Sequence, residues 1–274
     1  MKNLILIACF FITFSAKAQN LSLTKIWETN ELPVPESVLV SPGQHTLYVS
    51  LIDGAGNIKD GQGGIAILNA DGTIKDRNWV KGLHAPKGMA IYNNILYVAD
   101  LDVVYGIDTA SANIIKTIKV PDAVFLNDIA INSRGIVFVS DTRTNKIHRI
   151  ENNESAVYLD NVKAANGLKF INEQLYVLSD SQLLLIGHQK NRKLIAEGLE
   201  KSGDGLEVLK NGDFIVSCWA GIIYHIKPDG TKHKLLDVQG KMNTADIAYD
   251  ARKRILYVPT FNGNSVAAYQ VNFN

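Results

Sequence analysis

Residues 127–150 read NDIAINSRGIVFVSDTRTNKIHRI, and this stretch decides the fold. Short apolar runs alternate in it with turn residues: NDIAI is followed by a turn at Arg134-Gly135, then by VFVS, a second turn and KIHRI. Short alternating segments separated by Gly, Asn and Asp are typical of antiparallel β-hairpins, not of helices. The stretch therefore predicts at least three adjacent β-strands.

The same pattern recurs six times along the chain, at a period of about forty residues. Each copy opens with a short apolar run and continues, after a turn, with a second strand of the Leu-Tyr-Val type. Four short strands in about forty residues make one blade of a β-propeller. We therefore predict an all-β fold, a six-bladed β-propeller with blades of four antiparallel strands. The copies open at Glu36, Lys87, Asn127, Asn166, Asp204 and Ala245, which lie 51, 40, 39, 38 and 41 residues apart.

The two ends of the repeat array predict how the ring closes. The last copy has only three strands, the third of them at residues 266–271, and an apolar segment at residues 21–27 precedes the first copy. A strand in excess at the front and a strand missing at the back favour radial closure over an open solenoid, which needs caps instead. We expect the N-terminal strand to complete the sixth blade of one domain spanning residues 19–274.

Residues 1–18 have the pattern of a secretory signal peptide. Lys2 gives a positive start, residues 4–14 form an apolar run, and Ala16-Lys17-Ala18 fits the small-x-small cleavage pattern. A lipid-anchor alternative at Cys9 would leave a very short apolar stretch before the cysteine. We expect cleavage after Ala18 and export, either to a periplasm or to the medium. No later stretch is apolar over 18 residues, so no membrane contact is expected after cleavage.

Composition excludes some classes of partner. The chain has 28 basic and 27 acidic residues, and loss of Lys2 and Lys17 with the signal leaves 26 basic residues. A nearly neutral chain lacks the electrostatic footprint of a nucleic-acid-binding protein. Loss of Cys9 leaves Cys218 alone, so no disulfide forms within the chain. Cys218 lies in a strand-like run, which favours a buried packing residue.

We expect the protein to be a monomer.

The first residue of each copy predicts the functional site, because it varies at a position whose structural role is the same in all six blades. Six such residues converge on one mouth of the central channel. Carboxylate and amide oxygens suit Ca²⁺ best, with Zn²⁺, Mg²⁺ and Mn²⁺ as further options. The alternative is that Asn-Gly and Asp-Gly pairs are ordinary turn chemistry. The predicted metal ligands are Glu36, Asn127, Asn166 and Asp204.

This ordered set of Glu, Asn, Asn and Asp at blade spacing resembles the SMP-30/gluconolactonase/LRE-like (regucalcin-like) propellers, over essentially all of residues 19–274. The resemblance implies a divalent-metal site in the central channel and a small-molecule lactone or ester as substrate. It also implies that Asp204 acts both as a metal ligand and as the catalytic base. Glu36 is expected to be a plain ligand.

The chain departs from the family pattern beside this site. The third-blade motif, usually Arg-x-Asn-Asp, reads Phe125-Leu126-Asn127-Asp128 here, which indicates a less polar ligand than a sugar lactone. Lys87 occupies the ring position of the second blade and is expected to face substrate oxygens, or alternatively to be a solvated lysine. His84 is a third candidate for substrate contact, or alternatively a surface or packing residue.

The insertion at residues 53–64 lengthens the first copy, and it predicts either a flexible hairpin extension or a lid over the mouth. The sequence shows no Gly-x-Ser-x-Gly motif and no His-Glu-x-x-His motif. The leading interpretation is an exported metal-dependent lactonase or esterase. A non-enzymatic binding propeller of the NHL-repeat type and a catalytically silent metal-binding relative remain the alternatives.

Overall fold

The computed structural model describes residues 21–43, 45–200 and 202–273. The predicted signal peptide at residues 1–18 lies outside the described residues. No helix in these ranges is both long and apolar enough to cross a membrane.

The fold is a six-bladed β-propeller, as predicted. Six four-stranded antiparallel sheets follow one another along the chain, and in the first five blades the strand order in the sheet is the order in the sequence. These five blades consist, from the innermost strand outwards, of β2 (Pro35–Val40), β3 (Thr46–Leu51), β4 (Gly63–Asn69) and β5 (Ile74–Leu83); β6 (Pro86–Tyr92), β7 (Ile95–Asp100), β8 (Val103–Asp108) and β9 (Ile114–Lys119); β10 (Leu126–Ile131), β11 (Val137–Asp141), β12 (Lys146–Glu151) and β13 (Glu154–Leu159); β14 (Ala165–Ile171), β15 (Gln174–Ser179), β16 (Gln182–Ile186) and β17 (Arg192–Glu197); and β18 (Gly203–Val208), β19 (Phe214–Cys218), β20 (Ile222–Ile226) and β21 (Lys232–Asp237).

The sixth blade joins the two ends of the described chain. It contains β22 (Ala248–Asp250), β23 (Ile255–Pro259) and β24 (Val266–Phe273), and its outermost strand is β1 (Leu21–Thr29). β1 pairs antiparallel with β24 from Leu21↔Phe273 to Thr29↔Val266. The prediction that the N-terminal strand closes the ring is confirmed.

The innermost strand of the sixth blade begins later than predicted. The repeat placed its start at Ala245, whereas β22 begins at Ala248. The preceding backbone bonds to neighbouring segments instead: the Asp246 N–H donates to the Glu36 carbonyl oxygen, and Ser37 forms a parallel bridge with Asp246. This segment therefore ties the sixth blade to the first across the channel wall.

The hydrophobic core lies between the blades, because each sheet buries both faces against its neighbours. One cluster joins Leu47 and Val49 of the first blade to Tyr257 and Ala268 of the sixth, all buried. The alternating patterns of the sequence supply these residues, since every second side chain of a strand faces the same neighbour. Packing between the blades thus fixes the positions at which the innermost strands start. The candidate site residues lie at these strand starts, so the same packing positions them.

Candidate functional site

The residues at the start of the innermost strands lie in β-bulges. The pairing of the first and second strands shifts between Pro35 and Ser37, and equivalent shifts occur in the next four blades. A bulge adds a residue to one strand and re-aims its side chain. The bulges contain the first residues of the first five sequence copies: Glu36, Lys87, Asn127, Asn166 and Asp204. The repeat position found in the sequence therefore corresponds to a β-bulge in each of these blades.

These five side chains line a single cavity of about 270 Å³, which we call the site cavity. Its other lining residues are mostly apolar and come from the connections between strands: Ile52, Gly56, Phe125, Trp219 and Phe261. Trp219 and Phe261 pack edge to face, with ring centroids 5.5 Å apart. The site cavity therefore combines polar groups from the innermost strands with an aromatic lining, a composition typical of small-molecule pockets.

Hydrogen bonds orient the two asparagines. Asn166 donates from Nδ2 to Asp204 Oδ1 at 2.9 Å. Asn127 donates from Nδ2 to Thr142 Oγ1 at 3.0 Å, and Thr142 Oγ1 in turn donates to the Ala165 carbonyl oxygen at 2.7 Å. Both asparagines thus donate hydrogen bonds from their side-chain NH₂ groups to other residues of the protein. Their carbonyl oxygens accept no hydrogen bond from the described part of the chain.

Two buried oxygens in this cluster have no hydrogen-bond partner in the structure: Glu36 Oε2 and Asn166 Oδ1. Leaving such a group unpaired costs about 1–3 kcal/mol, more for a charged group, so native proteins rarely do so without a reason. Two unpaired acceptors among the lining residues of one cavity are suited to a positive or hydrogen-donating group.

Burial and neighbouring carboxyl groups raise the pKa of both Glu36 and Asp204. Burial, together with the charge of Asp246, raises the pKa of Asp204 to about 8. Burial and the neighbouring Asp204 raise the pKa of Glu36 well above its usual range. Neither carboxylate forms an ion pair with Lys87 in the described structure. A divalent cation would relieve both the burial penalty and the repulsion.

The donor set fits a hard divalent cation that accepts amide oxygens. No group of three or more His, Cys, Asp and Glu side chains among residues 21–43, 45–200 and 202–273 is arranged to hold a metal. A cation in the site cavity therefore depends on Asn127 and Asn166 as much as on Glu36 and Asp204. Oxygen ligands of this mixed kind suit Ca²⁺ and Mg²⁺, not a metal that prefers sulfur or imidazole.

Lys87 and Phe125, two of the predicted substrate contacts, line the site cavity. Lys87 is only 2% exposed, and its Nζ donates to the Ala85 carbonyl oxygen at 2.8 Å while lying 4.4 Å from the centre of the Phe125 ring. Burial lowers the pKa of Lys87. The structure thus supports neither a solvated lysine nor one free to move, because its ammonium group is held in place.

His84, the third predicted substrate contact, instead touches the insertion. Its Nδ1 accepts a hydrogen bond from the Gly61 N–H at 3.1 Å, and it is not among the residues that line the site cavity. Lys59 pairs with Asp102 at 2.6 Å, which gives the insertion a second tether. Gly56 reaches the cavity wall. The insertion is therefore tethered at two points beside the site cavity, and whether it acts as a lid stays a prediction.

Sequence reasoning missed Arg143, which lies in the turn between β11 and β12. Its guanidinium carbon is 4.6 Å from the centre of the Phe125 ring. The repeat gave no signal for it, because the corresponding position in the second blade is Asp102 and turns vary between copies. Cys218 behaves as predicted: it is free and buried, and burial raises the pKa of its thiol to about 12.

Comparison with known proteins shows that the fold of this chain is shared with solved structures. No protein-family model matches the chain. No curated protein matches its sequence. Solved structures do match, at 13–15% identity: a gluconolactonase from Xanthomonas campestris (15%, TM-score 0.70, covering 89% of this chain and 88% of that one) and a luciferin-regenerating enzyme (13%, TM-score 0.65, 93% and 95%).

A catalytically inactive virginiamycin B lyase from Staphylococcus aureus, solved with quinupristin, is also similar (14% identity, TM-score 0.63, covering 92% of this chain and 99% of that one). At such identities the likeness shows the shared fold. The fold implied by the resemblance to gluconolactonase-like propellers is thereby confirmed, and the chemistry has to be argued from the site.

Proposed function

We propose that this protein is a metal-dependent hydrolase that opens a lactone or a related ester in the site cavity. The observation that carries the proposal is the pair of unpaired buried oxygens, Glu36 Oε2 and Asn166 Oδ1, beside a second buried carboxyl group at Asp204. Propellers of similar fold include proteins described as gluconolactonases. The protein is proposed to act after export, as a monomer.

Glu36, Asn127, Asn166 and Asp204 would hold one divalent cation, Ca²⁺ in the first place. When bound, such a cation polarises an ester carbonyl and stabilises negative charge that develops on its oxygen. The protein supplies the remaining functions. Asn166 Nδ2 fixes one oxygen of Asp204, Oδ1, and leaves Oδ2 to take the proton of the attacking water. Asp204 accepts that proton only in its ionised form, which is the form that a bound cation would favour.

The aromatic lining positions the ester and excludes bulk water. The Trp219–Phe261 pair offers flat apolar surface on which a ring can lie, since Trp219 is partly exposed. The buried Lys87 ammonium group, close to Phe125, adds positive charge to the cavity wall. Removing water from such a site strengthens each electrostatic contact within it.

The test uses residues 19–274, purified without added metal. Bound metal is measured by mass spectrometry, and a panel of aliphatic and aromatic lactones is assayed with and without a chelator. We expect about one bound divalent ion and turnover that the chelator abolishes and Ca²⁺ restores. Asp204→Asn should lose at least about a hundredfold in rate, as expected for a general base, whereas the exposed Asp160→Asn should match the wild type.

The outcomes separate the alternatives. Bound metal without turnover of any lactone would favour a silent metal-binding relative. A protein that binds no metal, and whose behaviour the chelator leaves unchanged, would contradict the site and favour a binding propeller of the NHL type.

A further inference from the structure

A positive charge without a carboxylate partner lies over Phe125, one of the residues that line the site cavity. Arg143 is exposed, and no carboxylate of the described residues forms an ion pair with its guanidinium group. The corresponding position in the second blade behaves differently, since Asp102 is paired with Lys59 of the insertion. The chain therefore pairs the charged residue of this turn in the second blade and leaves the one in the third blade without an ion pair.

Arg143 is held in this place by the same segment that holds the site. Asp141, which is fully buried, accepts hydrogen bonds from the backbone N–H groups of Val124 at 2.9 Å and Phe125 at 3.1 Å. The Thr142 N–H donates to the Phe125 carbonyl oxygen, and Thr142 Oγ1 accepts the hydrogen bond from Asn127. The turn that carries Arg143 is thus fastened to both the aromatic wall and a predicted metal ligand.

Stacking on Phe125 adds a further restraint. An arginine over an aromatic face within about 6 Å of its centroid is attracted by the ring, and it can keep its N–H groups directed at a third partner. The guanidinium carbon of Arg143 lies 4.6 Å from the Phe125 centroid. A planar fork of N–H donors held in this way matches the two oxygens of a carboxylate.

We infer that Arg143 selects the substrate: it binds an anionic group, a carboxylate in the first place, of an amphipathic lactone or ester whose flat apolar body lies against Trp219. The inference rests on the proposed function for the ester bond, whereas the recognition of charge stands on Arg143 and Phe125 alone. Trp219 is 44% exposed although it lines the cavity, which leaves apolar surface for a ligand to cover.

The experiment compares phthalide, a neutral aromatic lactone, with carboxyphthalide, the same ring system carrying a carboxylate. Binding is followed by tryptophan fluorescence, with Trp219→Phe to identify the reporting residue, and hydrolysis is followed separately. Wild-type protein should bind carboxyphthalide about tenfold more tightly than phthalide, as expected for a two-point contact with a charged group. Added salt should reduce this preference, because the contact is partly exposed.

Arg143→Ala should abolish the preference, because the affinity for carboxyphthalide falls to that for phthalide, and Arg143→Lys should keep part of it. Arg134→Ala is the matched control: it removes the same charge from the turn between β10 and β11, at the opposite end of β11, and should keep the full preference. Equal affinity of wild-type protein for the two lactones, or an unchanged preference in Arg143→Ala, would overturn the inference. Absence of hydrolysis with the preference intact would count against the proposed function only.

Discussion

The chemistry of the site depends on where single protons reside. Burial and the charge of Asp246 raise the pKa of Asp204 to about 8, and Glu36 is shifted in the same direction. Near neutral pH, a cation therefore competes with protons for these carboxyl oxygens. The proton must leave before the oxygen can bind the metal, so the two equilibria are linked.

We predict that Ca²⁺ affinity rises with pH up to about 8 and then levels off, by at most about tenfold per pH unit for each proton released. Calorimetry in two buffers of different ionisation heat measures the number of released protons. Asp204→Asn should release fewer protons than the wild type, and Asp160→Asn the same number. An affinity that does not change with pH would show that the carboxyl groups are already ionised in the metal-free protein.

Residues at repeat positions could be found from the sequence, and residues outside them could not. Glu36 and Asp204 occupy the same position in different blades, so the register alone places them at one mouth. Arg143 lies in a turn whose length and composition the repeat does not fix. Its relation to Phe125 depends on the hydrogen bonds of Asp141, a position that recurs in the second blade with the same backbone contacts, so the repeat marks the aspartate but not the arginine that follows it.

At the scale of elements, glycine allows the innermost strands to approach one another. A Cβ atom on Gly88 would lie 2.4 Å from Asp128 Oδ1 and 2.5 Å from the Asp128 Cα atom. Asp128 is itself fixed, since its Oδ2 accepts the Leu168 N–H at 2.6 Å from the next blade. The Lys-Gly, Asn-Gly and Asp-Gly pairs of the repeat therefore lie at bulged strand starts, where packing, not a turn, requires the glycine.

Gly88→Ala should destabilise the protein by about 1–3 kcal/mol, because the contact is with backbone that cannot move without shifting a whole strand. Urea unfolding measures the change. Gly43→Ala is the control: its nearest new contact would be His45 at an ordinary 3.5 Å, and its stability should stay close to that of the wild type. Equal stabilities for the two variants would mean that the inner ring is looser than the structure indicates.

The insertion at residues 53–64 is an element whose existence the sequence predicted and whose attachment it did not. The 51-residue spacing revealed the extra length. Its tethers, His84 to Gly61 and Lys59 to Asp102, join residues more than twenty positions apart, and no local pattern specifies them.

Removing a tether should loosen the insertion without unfolding the blade. We expect His84→Ala to speed amide exchange of residues 56–62 by about tenfold, since local opening is governed by the few contacts that a loop makes. Hydrogen-exchange mass spectrometry reads this directly. His188→Ala, in an exposed turn of the fourth blade, should leave the insertion unchanged. Faster amide exchange throughout the His84→Ala variant would instead show that His84 stabilises the whole fold.

For the whole molecule, the seam between β1 and β24 is the point where the ring closes. The other strands of the blades pair with neighbours in sequence, whereas this pairing joins residues nearly the full described length apart. The strand in excess at the front of the repeat predicted the closure correctly. The β1–β24 pairing should contribute strongly to the free energy of unfolding. The ring cannot form until its two ends meet, and bringing distant ends together costs chain entropy.

A disulfide across the seam should therefore stabilise the protein strongly. Thr24 and Gln270 are direct partners in the antiparallel pair, and such partners have Cα atoms within the range that a disulfide spans. Thr24→Cys with Gln270→Cys closes a loop of about 250 residues, which the chain-entropy account values at about 5 kcal/mol. Cys218 is buried and its pKa is raised to about 12, so it should not compete for pairing.

The control places the same bridge within one blade, at Thr46 and Asn69, which are partners in the β3–β4 pair. That loop spans about 23 residues and should add about 3 kcal/mol. If the ring opens at the seam before it unfolds, only the seam bridge should slow unfolding, by about tenfold or more, because it blocks the opening step. Unfolding rates in denaturant, measured with each bridge oxidised and reduced, decide the matter: equal slowing by the two bridges would show that unfolding starts elsewhere in the propeller.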